Sequence, residues 1–151
     1  MLTLYTAPGS CSRASHIALE ESGLAFEARL VDFGQGDQRR PEFLAINPKG
    51  RVPALVTDQG VLTESPAILA YIAALAPQGL LAPVEPFALA RMQAFNLYLA
   101  STVHVAHAHG RRASRWSDDA AAQASMAAKV AQNMRDCFTL IEADLARNGD
   151  S

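Results

Sequence analysis

The chain has 151 residues, half of them apolar and 19% charged, which suits one domain with part of a second and excludes a disordered chain. A net charge of −2 and the lack of any run of the ~20 apolar residues that a membrane helix needs exclude nucleic acid and membranes as expected partners. The two cysteines, Cys11 and Cys137, match no disulfide framework or zinc spacing, and no signal peptide is visible, so we expect a reduced, cytoplasmic protein without a metal.

The first part of the chain alternates between strand and helix patterns. Short apolar runs predict four strands, at residues 2–5, 26–31, 52–57 and 61–63. Three helices are predicted between and after them, from the turn at 8–10 to about 22, at 41–46 and at 66–76. We expect the first helix to bury an apolar face that includes Ala14, Ile17 and Ala18. The order β-α-β-α-β-β-α predicts an α/β fold.

A cluster of helix-breaking residues follows, at Pro77, Gly79, Pro83 and Pro86. We therefore predict a first domain at 1–78, a linker at 79–86 and an all-helical domain at 87–151. Its first helix is expected from Pro86 to about His109. Its second is expected to begin after a cap at Ser117 and to end at Asn148-Gly149. Two helices leave an apolar face without a partner, so we expect this helical domain to be incomplete or covered by another subunit.

Cys11 and Ser12 lie at the first junction between a strand and a helix. The N-terminus of a helix presents unsatisfied N–H groups and partial positive charge, which stabilise a thiolate. Cys11 could be that thiolate, or a bound thiol could lie there and accept a hydrogen bond from Ser12. The alternative is that Ser10 caps an ordinary helix and that Cys11 is a small buried residue.

The segment from Asn47 to Pro53 leads into the third predicted strand. A proline at that point invites a cis peptide bond between Val52 and Pro53. Such a bend would leave the backbone N–H and C=O of Val52 free to pair with an extended peptide. The alternative is an ordinary loop that enters an edge strand.

Glu64, Ser65 and Pro66 lie at the start of the third predicted helix. Ser65 fits the N-cap and Pro66 the first helical position. The helix end could hold a carboxylate at Ser65, while Glu64 could pair with an ammonium group, and together these describe the head group of an α-amino acid. The alternative is a capped helix with one solvated glutamate.

The order and spacing of these motifs resemble the glutathione S-transferase superfamily, and are most similar to its bacterial beta class. The resemblance rests on TAPGSCSRASHIALEESGL, FLAINPKGRVPALV and VLTESPAILAYIA, and covers residues 1 to about 80, with a looser likeness in the helices. It implies a thioredoxin-like first domain, an all-α second domain that is incomplete here, glutathione as the bound peptide and substrate, no metal, and a homodimer.

The resemblance also assigns roles to individual residues. Cys11 and Ser12 match the catalytic pair of the beta class. Val52 and the cis-Pro53 match the backbone that pairs with the cysteinyl part of glutathione, and Glu64 and Ser65 match the pair that holds the γ-glutamyl head. From the helical domain the family places an asparagine and a histidine against glutathione, and Asn96 and His104 are the candidates, since they lie close to one line on a regular α-helix.

The implied reaction is a transfer in which the glutathione thiolate attacks a small apolar electrophile, expected near Tyr98, His104 and Trp116. One alternative is thiol transfer or peroxide reduction through a mixed disulfide at Cys11. A local dithiol mechanism is disfavoured, because Ala14 stands where a C-x-x-C motif would have its second cysteine. Two further alternatives are a non-catalytic binding or dimerisation module and an isomerising enzyme that uses glutathione as its cofactor.

Overall fold

The structure is a computed structural model and describes residues 1–148. The predicted end of the last helix at Gly149 lies outside the described residues. The chain divides into two compact units, Met1–Gln93 and a second that begins at Ala94. The domain limits predicted above, at 78 and 87, stay a prediction.

The first unit is a four-stranded mixed sheet with three α-helices. The strands are β1 (Leu2–Thr6), β2 (Phe26–Leu30), β3 (Ala54–Val56) and β4 (Val61–Thr63), and the helices are α1 (Ser12–Ser22), α2 (Pro41–Ile46) and α3 (Ser65–Leu75). The strand order is β2-β1-β3-β4. β1 runs parallel to β2, and β3 is antiparallel to both β1 and β4. This topology confirms the expected thioredoxin-like fold.

The core of this unit lies between the sheet and the helices α1 and α3. It contains five fully buried side chains: Leu4, Leu19, Leu55, Ile68 and Ile72. Leu4 and Leu55 face each other across β1 and β3, so the two strands bury the same face of the sheet. Because β1 is parallel to β2, the loops that follow both strands meet at one end of the sheet, where α1 begins.

Helix α1 is rotated relative to its predicted orientation. Its buried positions are Ser12, Ser15, Leu19 and Ser22, whereas Ile17 is 54% exposed and Ala14 is also exposed. The predicted apolar face was therefore wrong for Ala14 and Ile17, whereas Ala18 is partly buried and packs against the core. Hydropathy does not identify these positions, because three of the four buried residues are serines, which are small enough for tight packing but polar by composition.

Ser15 allows a direct test of this packing. Its hydroxyl is buried and has no hydrogen-bond partner within residues 1–148, a costly arrangement. We expect Ser15→Ala to raise the free energy of unfolding by about 1 kcal/mol, from the removed penalty and the better helix propensity of alanine. Ser22→Ala is the matched control, because the Ser22 hydroxyl donates to the Leu19 carbonyl at 2.7 Å and should lose stability. Equal losses in the two variants, measured by urea unfolding, would contradict this account.

The second unit is helical. Its elements are α4 (Pro86–Tyr98, which begins in the first unit), a π-helical segment (Leu99–Val103), α5 (His104–Arg112), a 3-10 turn (Ala113–Arg115) and α6 (Ala120–Asn148). Cys137 on α6 is buried, and its hydrogen bond to the phenol of Tyr98, followed by desolvation, raises the pKa of Tyr98.

The start of α6 corrects one prediction. The carboxylate of Asp119 accepts hydrogen bonds from the N–H groups of Ala121 and Ala122, at 3.1 and 3.2 Å. Ser117 instead accepts from the N–H of Asp119, at 3.1 Å. The cap is thus Asp119, two residues after the predicted Ser117, because a carboxylate interacts more strongly than a hydroxyl with the positive end of the helix.

Helix α6 also exposes apolar surface within this unit. A shallow depression of about 700 Å³ is lined by side chains that include Ala131, Met134 and Phe138, and Phe138 is 57% exposed. This agrees with the expectation that the helices leave an apolar face without a partner. None of the helices in residues 1–148 is both long and apolar enough to span a bilayer.

Candidate functional site

Cys11 lies where β1 passes into α1. The chain turns at 7–10, and Cys11 then occupies the N-cap position of α1 in helical conformation. The cysteine is exposed and free, so the alternative of a small buried residue does not hold. Its thiol donates a weak hydrogen bond to the backbone carbonyl of Val52, with Sγ 3.6 Å from the oxygen. This contact joins two motifs that are 41 residues apart in the sequence.

Ser12, by contrast, is fully buried. Its Oγ lies 2.7 Å from Oγ1 of Thr6 and 2.6 Å from Oγ of Ser10, and it accepts a hydrogen bond from the N–H of Ala7 at 3.1 Å. These bonds fix the turn between β1 and α1. The catalytic role predicted for Ser12 stays a prediction, and the geometry favours a residue that positions the loop over one that contacts a ligand.

The Val52–Pro53 peptide bond is cis, as predicted. The side chain of Val52 is buried against Ala7, Val31 and Phe43, which fixes the backbone at this point. Within residues 1–148 the N–H of Val52 donates to no group, and its carbonyl accepts only from the thiol of Cys11. The backbone of Val52 is therefore available to an extended chain, in line with the prediction of an open edge.

Asn47 supports this segment and was not singled out from the sequence. It is 1% exposed, its amide donates to the carbonyl of Arg51 at 2.6 Å, and its side-chain oxygen accepts from the N–H of Lys49 at 3.2 Å. An Asn-Pro-x-Gly sequence is a known turn signal, because asparagine side chains bond the backbone two residues on. That signal could have identified Asn47 as the residue that shapes the loop.

The start of α3 differs in detail from the prediction. The N-cap is Glu64, with φ of 73°, and Ser65 is the first helical residue. Ser65 was predicted as the cap, but in this position its hydroxyl caps nothing. The N–H groups of Ser65 and Ala67 have no hydrogen-bond partner among the described residues. The helix end thus presents free donors and partial positive charge to an anion, as expected.

Lys49 contacts this helix start from the loop of the second motif. Its ammonium lies 2.5 Å from Oε1 of Glu64 and donates to Oγ1 of Thr63 at 2.7 Å. All of these side chains are on the protein surface, with Glu64 65% exposed. Lys49 was not among the predicted site residues, since nothing in a single sequence pairs two residues 15 positions apart in different motifs.

Tyr5 on β1 forms contacts outside these three motifs. Its hydroxyl accepts a hydrogen bond from the guanidinium of Arg29 at 3.3 Å, and its ring packs edge-on against Phe43. The carboxylate of Glu27, followed by the hydroxyl of Tyr5, raises the pKa of Arg29, so this cation is permanently charged. Tyr5 is thus part of a cluster with Arg29 and Phe43.

Asn96 and His104 lie in the second unit, and their predicted contact with glutathione stays a prediction. Asn96 is half-buried on α4 and His104 is exposed at the start of α5. The π-helical segment Leu99–Val103 separates them. The predicted alignment of the two residues assumed a regular α-helix, whereas a π turn has more residues per turn, so the alignment stays a prediction. Segments of this type occur frequently at functional sites.

The remaining histidines of this region do not form a metal site. The ring of His109 stacks on that of Trp116, with the centroids 4.1 Å apart and the planes tilted by 33°, and His107 is exposed. No group of three or more metal-ligating side chains occurs in the part of the chain that the structure describes.

The sheet topology, the cis-proline before β3 and the open start of α3 define a thioredoxin-like domain of the kind that precedes a helical domain. Residues 1–74 match the glutathione S-transferase N-terminal domain. Together with a structure that is 47% identical over nearly the whole chain, this match shows that the chain belongs to the glutathione S-transferase family.

That structure is a glutathione transferase homolog from Sulfitobacter, solved with bound glutathione. The match has a TM-score of 0.93 and covers 98% of this chain and 72% of that one. Glutathione S-transferase GstA of Escherichia coli O157:H7 is 41% identical over 106 residues, which cover 68% of this chain and 53% of the relative. Maleylacetoacetate isomerase of Pseudomonas aeruginosa is 36% identical over 70% of this chain and 52% of the relative. The chain thus spans about half the length of these two relatives.

Proposed function

We propose that this chain binds glutathione and activates its thiol for attack on a small apolar electrophile, as a glutathione transferase. The observation that carries the proposal is a pair of contacts. The Cys11 thiol lies 3.6 Å from the carbonyl oxygen of Val52, and Lys49 bonds Glu64. They bring the starts of α1 and α3 together with the open backbone between them, which matches the thiol, the cysteinyl backbone and the γ-glutamyl head of glutathione.

Each of these three groups would be recognised by a different element. The backbone of Val52 pairs with the cysteinyl residue as an added strand would. The free N–H groups at Ser65 and Ala67 hold the γ-glutamyl carboxylate, and Glu64 takes its ammonium. The sulfur then lies towards the start of α1, beside Cys11. Asn96 and His104 are proposed as further contacts from the helical unit, and a homodimer belongs to the same proposal.

The start of α1 supplies the electrostatic part of the mechanism. An anion near a helix N-terminus gains about 0.3–1 kcal/mol, which multiplies the ratio of thiolate to thiol by about two to five. The thiolate attacks an electrophilic carbon, a C–S bond forms, and the leaving group departs with the electron pair of the broken bond. Isothermal titration with reduced glutathione, followed by assays with a panel of electrophiles, tests the proposal, and sedimentation tests the dimer.

Two other reactions use the same bound peptide. The exposed thiol of Cys11 favours a mixed disulfide with glutathione, and therefore thiol transfer or peroxide reduction. The likeness to maleylacetoacetate isomerase favours an isomerisation with glutathione as cofactor. If the chain binds glutathione and turns over none of these substrates, it is a binding or dimerisation module.

A substitution at Cys11 separates these reactions. In a transferase the nucleophile is the sulfur of glutathione, so we expect Cys11→Ser to keep kcat/KM for conjugation within about tenfold of the wild-type value. Disulfide reduction through Cys11 should fall to background in the same variant. Ser125→Ala, at an exposed serine on α6, is the control and should affect neither reaction. Loss of conjugation in Cys11→Ser alone would make Cys11 itself the essential group.

A further inference from the structure

We propose that Lys49 is an internal competitor for the ammonium group of glutathione, and so sets the affinity of this site for γ-glutamyl ligands. This inference rests on the proposed binding of glutathione at Glu64. The Nζ atom of Lys49 already donates a hydrogen bond to Oε1 of Glu64, at 2.5 Å. An incoming α-ammonium must therefore displace Lys49 or share one carboxylate with it, and two ammonium groups on one carboxylate repel each other.

The position of Lys49 is set by the fold, because two hydrogen bonds and a close backbone approach at Gly50 fix its loop. The N–H of Lys49 donates to the buried side chain of Asn47 at 3.2 Å, and the N–H of Gly50 donates to the carbonyl of Asn47 at 2.9 Å. Gly50 has φ of 60°, and a Cβ there would lie 3.0 Å from the backbone oxygen of Gln38. This tight loop presents the lysine to Glu64.

The side chain itself is free to move away. Lys49 is 47% exposed and Glu64 65% exposed, and Oγ1 of Thr63 offers Lys49 a second acceptor at 2.7 Å. An exposed ion pair of this type contributes little, equivalent to about a two- to fivefold change in an equilibrium constant. Lys49 therefore weakens the binding of an ammonium-bearing ligand by about that factor without blocking it.

The competition depends on the charge of the ligand, which makes it separable from a general electrostatic effect. Glutathione carries one ammonium and two carboxylates at neutral pH, so the charge of Lys49 also attracts the peptide as a whole. Desamino-glutathione, the γ-glutamyl peptide without its ammonium, keeps both carboxylates and cannot compete for Glu64. Removal of Lys49 should help the first ligand and should leave the second unchanged or weaken its binding.

The test is isothermal titration of the wild-type chain and of Lys49→Met with both peptides. We expect Lys49→Met to lower the Kd for glutathione by about two- to fivefold, and to leave the Kd for desamino-glutathione unchanged or raise it. Lys129→Met is the matched control. Lys129 is exposed on α6, outside the proposed glutathione-binding residues, and its loss should change neither Kd.

An equal change for the two peptides in Lys49→Met would overturn the inference, and so would weaker or unchanged binding of glutathione. Thermal unfolding of each variant establishes that the comparison is made between folded proteins. A further outcome is that the wild-type chain binds glutathione while Lys49→Met gains no affinity for glutathione relative to desamino-glutathione. In that case the proposed competition is wrong and the proposed function stands. If the wild-type chain does not bind glutathione, both fail.

Discussion

Glu64→Gln is expected to raise the Kd for glutathione about 10- to 100-fold while the fold stays intact. The substitution keeps the shape of the side chain but removes its charge. The bound peptide would cover this carboxylate, so its hydrogen bond to the ligand is expected to contribute about 1.5–3 kcal/mol, more than the exposed pair with Lys49. Because Glu64 is 65% exposed and its carboxylate bonds only Lys49 among residues 1–148, loss of its charge should cost little stability. Isothermal titration measures the affinity, and thermal unfolding establishes that the variant is folded.

Glu42→Gln provides the control for Glu64→Gln. Glu42 is an exposed carboxylate on α2 in the same unit, outside the proposed site. The two variants carry the same change in net charge, so a general electrostatic effect on the anionic peptide would appear in both. A Kd for Glu64→Gln within twofold of that for Glu42→Gln would remove Glu64 from the proposed head-group site.

Ser12→Ala is expected to lower the free energy of unfolding by about 2–3 kcal/mol. The substitution removes the hydroxyl that the N–H of Ala7 and the side chains of Thr6 and Ser10 share. Unpaired buried donors and acceptors cost about 1–3 kcal/mol each, and partial rearrangement of the turn recovers some of this. Urea unfolding followed by circular dichroism measures the change.

The outcome also decides between the two roles of Ser12. Ser125→Ala, at an exposed serine on α6, is the control, with an expected change within about 0.5 kcal/mol. If Ser12 positions the loop, stability falls and the folded fraction of Ser12→Ala keeps its turnover. If Ser12 also bonds the glutathione sulfur, kcat of the folded fraction falls as well, and a positioning role alone is wrong.

Local patterns predicted most of the first unit. The helix at 41–46 and the strand at 61–63 have their predicted bounds, because Pro41 and Gly60 end one element and open the next. The strand expected at 52–57 is shorter, since Pro53 has no N–H to donate and pairing begins only at Ala54. Predictions of this kind succeed where one residue type has one strong backbone preference.

Details at the helix ends were not predictable in the same way. The N-cap of α3 is Glu64 and not Ser65. Glu64 adopts a positive φ, which glutamate does not favour, so its residue type gives no sign of this position. The π-helical segment before His104 has no marker in the sequence. In both places the packed structure overrides local preference, and such overrides concentrate at functional positions.

The site was predictable as a set of residues but not as a network of contacts. The resemblance to a known family supplied Cys11, Val52 and Glu64, and each lies at the element end where the motif placed it. The contact of Lys49 with Glu64 depends on how the segment from Asn47 to Pro53 folds against the start of α3. Only the folded chain brings those two charges together.

The buried serines of α1 affect where the helix lies, and therefore where Cys11 lies at its N-terminus. Ser12, Ser15 and Ser22 are buried along this side of the helix, so a bulkier side chain at Ser15 is expected to displace α1. Cys11 is the N-cap of α1, so its sulfur would move with the helix, away from the Val52 oxygen. A change of side-chain volume in the interior is therefore expected to alter the surroundings of an exposed thiol one helical turn away.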